Sequence, residues 1–281
     1  MFRRPRETVN LNPAEKSTIA GAASVAERVM CQLPAFRARL PWRTRLGFWF
    51  APPRCYACGG AGDLGAIDLC AACLGRWPHR ADADAPPSLQ GVVLHAAFDY
   101  REPVSTALRA LKFQGDWRAA RVLGTLLALR RLDRAAAHAA ELPQCLVPIP
   151  LHPARLRERG FDQAALLARH IALWSAIPVR RWLRRTRSTT PQTELDGAAR
   201  RLNVAGAFAA TDAARSALAR DDIRSIAILD DVVTTGSTAA AAIAALRAAA
   251  GAHGRSLDVQ CWAVAATAKS TTIPTKITSP T

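Results

Sequence analysis

The stretch IAILDDVVTTGST, Ile226 to Thr238, decides the fold. Its apolar start closes a buried strand predicted over Ile223 to Leu229. Two adjacent carboxylates, Asp230 and Asp231, follow at the strand's end. Small hydroxyl residues around Gly236 come next, and then a helix. A turn before a helix N-terminus presents backbone N–H groups, and the helix dipole favours an anion there. Gly236 lets the backbone approach a ligand or adopt a positive φ. Thr234, Thr235, Ser237 and Thr238 add hydroxyl donors, and the paired acids can accept hydrogen bonds from a ribose diol. The C-terminal end of a parallel strand is where open α/β sheets bind ligands. The pattern fits a sugar phosphate and is neither a Walker loop nor a Rossmann fingerprint. A strand, an Asp-rich turn and a Thr N-cap would use the same residues without a ligand.

Working outward, Ser237 to Ala250 predicts a helix ending before Gly251, and Val259 to Ala265 another strand. Upstream, Val92 to Tyr100 and Gln144 to Pro150 read as strands. Val104 to Phe113, Ala119 to His138 and Phe161 to Trp174 read as helices. Strands separated by helices imply an α/β fold with a parallel sheet flanked by helices. The expected organisation is a variable basic leader (1–45), a double CxxC module (46–80), a linker (81–91), the α/β domain (92–268) and a Thr-rich disordered tail (269–281).

Half the residues are apolar, which suits a sizeable core. No run of about 18 apolar residues predicts a membrane span. The Arg-rich start lacks the apolar region of a secretory signal, and Pro13, Pro34 and Pro41 would interrupt a long amphipathic helix. A cytoplasmic location is expected. The net charge is +16, with ten Lys/Arg against three acids in residues 1–54 and eleven Arg against four acids in 151–203. Two basic zones suggest polyanion partners, although solvated surface would give the same composition.

Within the second zone, LVPIPLHPARLRERGFDQ (Leu146 to Gln163) reads as a strand, a basic loop and a helix. His152, Arg155, Arg157 and Arg159 sit just past the strand, and Arg offers planar recognition of phosphate oxygens. The polar stretch Arg184 to Phe208 is a candidate lid that would exclude water from a labile ligand. An ordinary long surface loop is the alternative.

Seven Cys occur, and four form Cys55-x2-Cys58-x11-Cys70-x2-Cys73. Four thiolates at this spacing can close a tetrahedral structural Zn²⁺ site. Cys31, Cys145 and Cys261 read as ordinary thiols; His79 and His95 could compete as ligands, but a lone His is more often structural.

Several motifs occur in one order: the paired CxxC, Tyr100, LKFQGD (Leu111 to Asp116), RERGFDQ (Arg157 to Gln163), TRSTTPQ (Thr186 to Gln192), RLNVAGAF (Arg201 to Phe208) and the Asp230 loop. Over roughly residues 46–265 this resembles the ComF family, the competence-associated type I phosphoribosyltransferase-like proteins with an N-terminal zinc ribbon. The resemblance implies a type I phosphoribosyltransferase fold and binding of phosphoribosyl pyrophosphate with Mg²⁺. It implies that Asp230 and Asp231 hold the ribose diol and that Thr234, Thr235, Gly236, Ser237 and Thr238 hold the 5′-phosphate. His152, Arg155 and Arg159 would face the pyrophosphate, with Arg187, Thr190 and Gln192 as lid residues. Thr234 stands where 6-oxopurine salvage enzymes carry an Asp, which argues against hypoxanthine or guanine as acceptor. Asp162 replaces the Asn of the family's G-F-N-Q. The resemblance further implies phosphoribosyl transfer to a nitrogen acceptor in the context of DNA uptake. The alternative is a non-catalytic component that binds phosphoribosyl pyrophosphate, single-stranded DNA or competence proteins. Phe161, Trp174 and Trp182 are the aromatics available for stacking there, although apolar spacing favours the core for at least Phe161. Repulsion between Asp230 and Asp231 predicts that replacing both with Asn leaves the ligand-free protein equally or more stable.

Overall fold

A computed structural model describes residues 54–60, 67–80, 86–186, 206–220 and 223–267. In chain order the elements are α1 (Ala71–Leu74), a 3-10 turn (Pro87–Leu89), β1 (Leu94–Asp99), α2 (Val104–Gln114), α3 (Trp117–His138), β2 (Cys145–Pro148), α4 (Pro153–Arg159) and α5 (Gln163–Ser175). They continue with β3 (Leu183–Arg185), β4 (Phe208–Ala210), α6 (Asp212–Ala219), β5 (Ser225–Val233), α7 (Ser237–Gly251) and β6 (Asp258–Ala266). The main sheet has the order β1-β6-β5-β2 and every pair is parallel. β3 and β4 form a separate antiparallel pair.

Side chains of a strand point alternately to its two faces. In β5, Ala227 and Leu229 enter one core while Ile226 and Ile228 enter the other. β6 divides in the same way, with Trp262 and Val264 on one side and Val259, Cys261 and Ala263 on the other. A strand covered on both faces is apolar throughout, as parallel sheets require. The first core lies under α2, α3 and α5 and takes in Cys55, Ile67, Leu69, Leu74 and Trp77. The cysteine module therefore shares the domain's core. Its attachment includes an edge contact of Trp77 on Phe98, with centroids 5.2 Å apart, and an ion pair from Arg121 to the buried Asp68. The second core lies under α6, α7 and the β3–β4 pair, and Leu89 belongs to it. The segment read as a linker is thus anchored at Leu89, 1% exposed.

Three expectations are corrected. β5 does not stop before the acids: its ladder with β6 runs through Asp230↔Ala263 to Val233↔Ala266, because backbone pairing is indifferent to the polarity of the side chain. The basic loop after β2 is helix α4. Pro153 at its first turn has no N–H to lose there, His152 caps it through Nδ1 at 3.2 Å from the Ala154 nitrogen, and Gly160 ends it at φ 80°. Trp174 and Trp182 are 8% and 4% exposed, and Trp174 Nε1 donates to Thr125 Oγ1 at 2.9 Å. They belong to the cores and do not form a stacking surface. Among the described residues, no helix is long and apolar enough to cross a membrane.

α3 and α5 pack closely at Gly124. A Cβ there would stand 2.9 Å from His170 Cβ and 3.0 Å from the Leu167 carbonyl oxygen. Gly124→Ala should therefore lower stability in urea unfolding. Overpacking costs about 1–3 kcal/mol, and the better helix propensity of Ala returns about 1 kcal/mol. A gain in stability would show that this contact yields.

Candidate functional site

All four strands of the main sheet point their C-terminal ends to one edge. β5 brings Asp230 and Asp231 to that edge. Asp230 Oδ1 accepts the Asp231 backbone N–H at 2.8 Å, which fixes the first carboxylate against its own strand. Asp231 is 4% exposed. A buried carboxylate needs a counter-charge, and Lys112 from the last turn of α2 supplies it, with Nζ 2.5 Å from Asp231 Oδ2. Burial works against the Lys112 ammonium. The Asp231, Asp230 and Tyr100 groups outweigh it, so its pKa is raised. Burial raises the Asp230 carboxyl, and the adjacent Asp231 raises it further.

Gly236 follows at φ 77° and heads α7. Thr235 Oγ1 lies 3.0 Å from Ser237 Oγ and accepts the Ser237 N–H at 3.4 Å. The hydroxyls therefore order the turn itself. Thr234 is exposed, Thr235 and Thr238 are half-buried, and Gly236 and Ser237 are buried. The whole set Asp230, Asp231 and Thr234 to Thr238 is brought together at one strand end.

The basic residues divide. Arg159 donates to Gln163 Oε1 at 2.7 Å and lies over the Phe113 ring at 5.7 Å. His152 is used as the α4 cap. Arg155 shares its electrostatic surroundings with Arg185 of β3. Burial lowers the Arg185 pKa, Arg155 lowers it further, and Asp230 raises it. The charges of Arg155 and Asp230 thus act on Arg185 in opposite directions. Asp162 is an N-cap: Oδ1 accepts the Ala165 N–H at 3.0 Å and Oδ2 the Leu151 N–H at 3.2 Å. Arg187, Thr190 and Gln192 lie outside the described residues.

Sequence reasoning quoted Lys112 only within the LKFQGD motif and placed neither it nor Arg185 in the site. A signal for Lys112 existed. Of the 38 Lys and Arg only four are Lys, and Lys112 is the only one between residues 17 and 268. Arg185 left no comparable trace, since it stands among many arginines.

The four cysteines also converge. The Sγ atoms of Cys55, Cys58, Cys70 and Cys73 all lie within 4.8 Å of one another, and Cys58 and Cys70 are 3.9 Å apart. Sulfurs at about 2.3 Å from a tetrahedral ion would be about 3.8 Å apart, so the cluster can hold a structural metal ion such as zinc. Burial opposes the Cys55 thiolate, but backbone N–H groups of Cys58, Cys70 and Ala57 outweigh it and lower its pKa. Burial and the neighbouring sulfurs raise Cys73. A bound cation would relieve that crowding. His79 and His95 are not ligands in this cluster. Burial, with Arg130 and Arg131 respectively, lowers each to about 4.

Fold and site define a parallel-sheet α/β protein with two carboxylates and a glycine-headed helix at one strand end and a four-cysteine knuckle packed into its core. No family model matches the chain. It is 34% identical over 142 residues to competence protein F of Haemophilus influenzae, covering 50% of this chain and 59% of that protein. It is 34% identical over 159 residues to DNA utilization protein YhgH of Escherichia coli K12, covering 55% of this chain and 65% of that protein. The YhgH protein of Salmonella typhimurium is 33% identical over the same length. The matches span less than two thirds of these relatives. They support assignment of the chain to the ComF family.

The Lys112 ion pair corrects the stability expected from carboxylate repulsion alone. Asp231→Asn should destabilise the ligand-free protein because it leaves Lys112 without its partner. The loss should fall below the roughly 3–5 kcal/mol of a fully buried pair, since Lys112 keeps 26% exposure. Asp230→Asn should be neutral or stabilising. Because the folded pKa of Asp230 is raised, its contribution to stability is full below the ordinary carboxylate range and declines as pH rises through the folded value. Denaturant midpoints measured across that range should show this decline in wild type and its absence in Asp230→Asn.

Proposed function

We propose that the chain binds phosphoribosyl pyrophosphate with Mg²⁺ at the C-terminal edge of β5 and transfers the phosphoribosyl group to a nitrogen nucleophile. The observation that carries this reading is the succession of two carboxylates and a glycine-headed helix N-terminus at the end of one parallel strand. Asp230 and Asp231 would accept hydrogen bonds from the ribose 2′ and 3′ hydroxyls. The turn Thr234 to Thr238 would hold the 5′-phosphate on backbone N–H and hydroxyl groups. Arg155 and Arg159 on α4 would face the pyrophosphate. The strand end fits a divalent cation, because two carboxylates meet there against one ammonium. Bound with the ligand, Mg²⁺ would neutralise charge on the pyrophosphate oxygens. In the reaction the bond from ribose C1 to the pyrophosphate oxygen breaks, a C1–N bond forms, and the nucleophile's proton is lost. The chain's contribution would be positioning and electrostatic stabilisation. The relatives' names support a place in competence and DNA use.

A second reading is a non-catalytic component that binds single-stranded DNA. It is favoured by Phe113 and Trp117, 76% and 61% exposed, with Arg159 and Arg121 over their rings. Exposed aromatics beside cations suit base stacking. Pyrophosphate release with a panel of nitrogen bases would support transfer. Salt-sensitive DNA affinity without turnover would support the second reading.

Thermal shift tests the ligand. Phosphoribosyl pyrophosphate with Mg²⁺ at a hundredfold excess over Kd should stabilise wild type by about 2.7 kcal/mol. Asp230→Asn with Asp231→Asn should abolish this response. Arg155→Ala with Arg159→Ala should weaken phosphoribosyl pyrophosphate and leave ribose 5-phosphate little changed. A wild-type melting point indifferent to millimolar ligand overturns the reading.

We also propose that the cysteine cluster holds Zn²⁺. Elemental analysis should find one ion per chain, and Cys58→Ser should lose it and destabilise the first core. Metal-free protein prepared without chelator would refute this assignment.

A further inference from the structure

The turn between β5 and α7 is held from outside by a segment 147 residues earlier. Ser88 Oγ donates to the Thr235 carbonyl oxygen. A Cβ on Gly236 would stand 2.7 Å from Ser88 Oγ, 2.9 Å from Leu89 Cγ and 2.9 Å from Pro86 Cγ. This strap is itself fixed. The Leu89 N–H reaches the Pro86 carbonyl at 2.8 Å, the Val92 N–H reaches the Leu89 carbonyl at 2.9 Å, and the Leu89 side chain is buried in the second core.

The Thr235–Gly236 peptide is trans, since the only cis bond among the described residues is Glu102–Pro103. In a planar trans peptide the carbonyl and the following N–H point in opposite directions. Holding the Thr235 carbonyl toward Ser88 therefore turns the Gly236 N–H away from the strap. Gly236 is left-handed and the following residues are helical, the backbone sequence that in other proteins turns successive N–H groups toward an anion. Glycine tolerates either sign of φ. Without an external hold, this peptide plane could rotate and present an oxygen where an anion needs a donor.

We propose that Ser88 is a positioning residue for the anion turn, fixing the Thr235–Gly236 peptide so that its N–H serves the ligand's phosphate. The identity of the anion rests on the phosphoribosyl reading above, whereas the orientation of the turn does not. Glycine at 236 has two reasons in this arrangement: its left-handed φ, and the contact with the strap.

The test uses the full chain with Ser88→Ala and Ser88→Thr. In ligand-free Ser88→Ala, amide hydrogen exchange over residues 234–239 should quicken about tenfold, while exchange in β6 stays at the wild-type rate. Ser88→Thr, which keeps the hydroxyl, should restore protection. Calorimetry with ribose 5-phosphate should show an affinity about tenfold weaker for Ser88→Ala, the size of one hydrogen bond, and recovery in Ser88→Thr. Unchanged exchange over 234–239 overturns the proposal even if affinity falls, because Ser88 would then act by another route. Exchange that quickens throughout the sheet also overturns it, as a folding effect. If wild type ignores ribose 5-phosphate and phosphoribosyl pyrophosphate while the exchange pattern is as expected, the ligand reading fails and the hold of Ser88 on the turn stands.

Discussion

Lys112 and Asp231 meet at 2.5 Å where a strand buried on both faces ends in charge. The interior of such a strand has no room for an ion, so β5 stays apolar from Ile226 to Leu229 and becomes polar at the sheet edge. There Asp231 remains buried, and its carboxylate is paired with an ammonium brought by another element. Leu108 and Leu111 seat α2 in the first core, and Gly115 closes the helix in the left-handed conformation. The choice of lysine is informative in a chain that otherwise uses arginine almost throughout. A compact ammonium can approach one carboxylate oxygen, whereas a guanidinium presents a planar fork that needs more width.

The buried strands and the long helices were legible because burial imposes periodicity on the sequence. β5 and β6 are apolar runs, and the helices repeat their apolar residues at helical spacing. The acids and hydroxyls of the turn were legible because they are contiguous. What escaped is what depends on distant parts of the chain meeting. Lys112 lies more than a hundred residues from Asp231, and Arg185 comes from a hairpin that no local pattern announced. Helix α4 was hidden because it is only 7 residues long and buries none of them, so it imposes no apolar period on the sequence. Trp174 and Trp182 illustrate the opposite hazard. Their arginine-rich surroundings suggested a surface, but the indoles are large enough to be drawn into the cores.

The cysteine knuckle contributes Ile67, Leu69, Leu74 and Trp77 to the same core as α3. Asp68, between two of these residues, is buried and paired with Arg121. Its backbone carbonyl also receives the Tyr56 N–H at 2.6 Å, which ties the two halves of the knuckle together. The knuckle thus covers one end of the helical layer, and a metal ion in it would act on the packing of α3 as well as on its own fold.

The β3–β4 pair has a consequence for how this protein can vary. The Thr186 N–H bonds to the Ala207 carbonyl at 2.8 Å and its hydroxyl to the Gly206 carbonyl at 3.2 Å, so the chain leaves and rejoins the hairpin at neighbouring points. Closure is secured by the β3–β4 register itself, Leu183↔Ala210 to Arg185↔Phe208. Variation at 187–205 would therefore leave these hydrogen bonds in place, since none of them uses a side chain of that segment. The pair's place in the second core is set by Leu183, Phe208 and Ala210, apart from that variation.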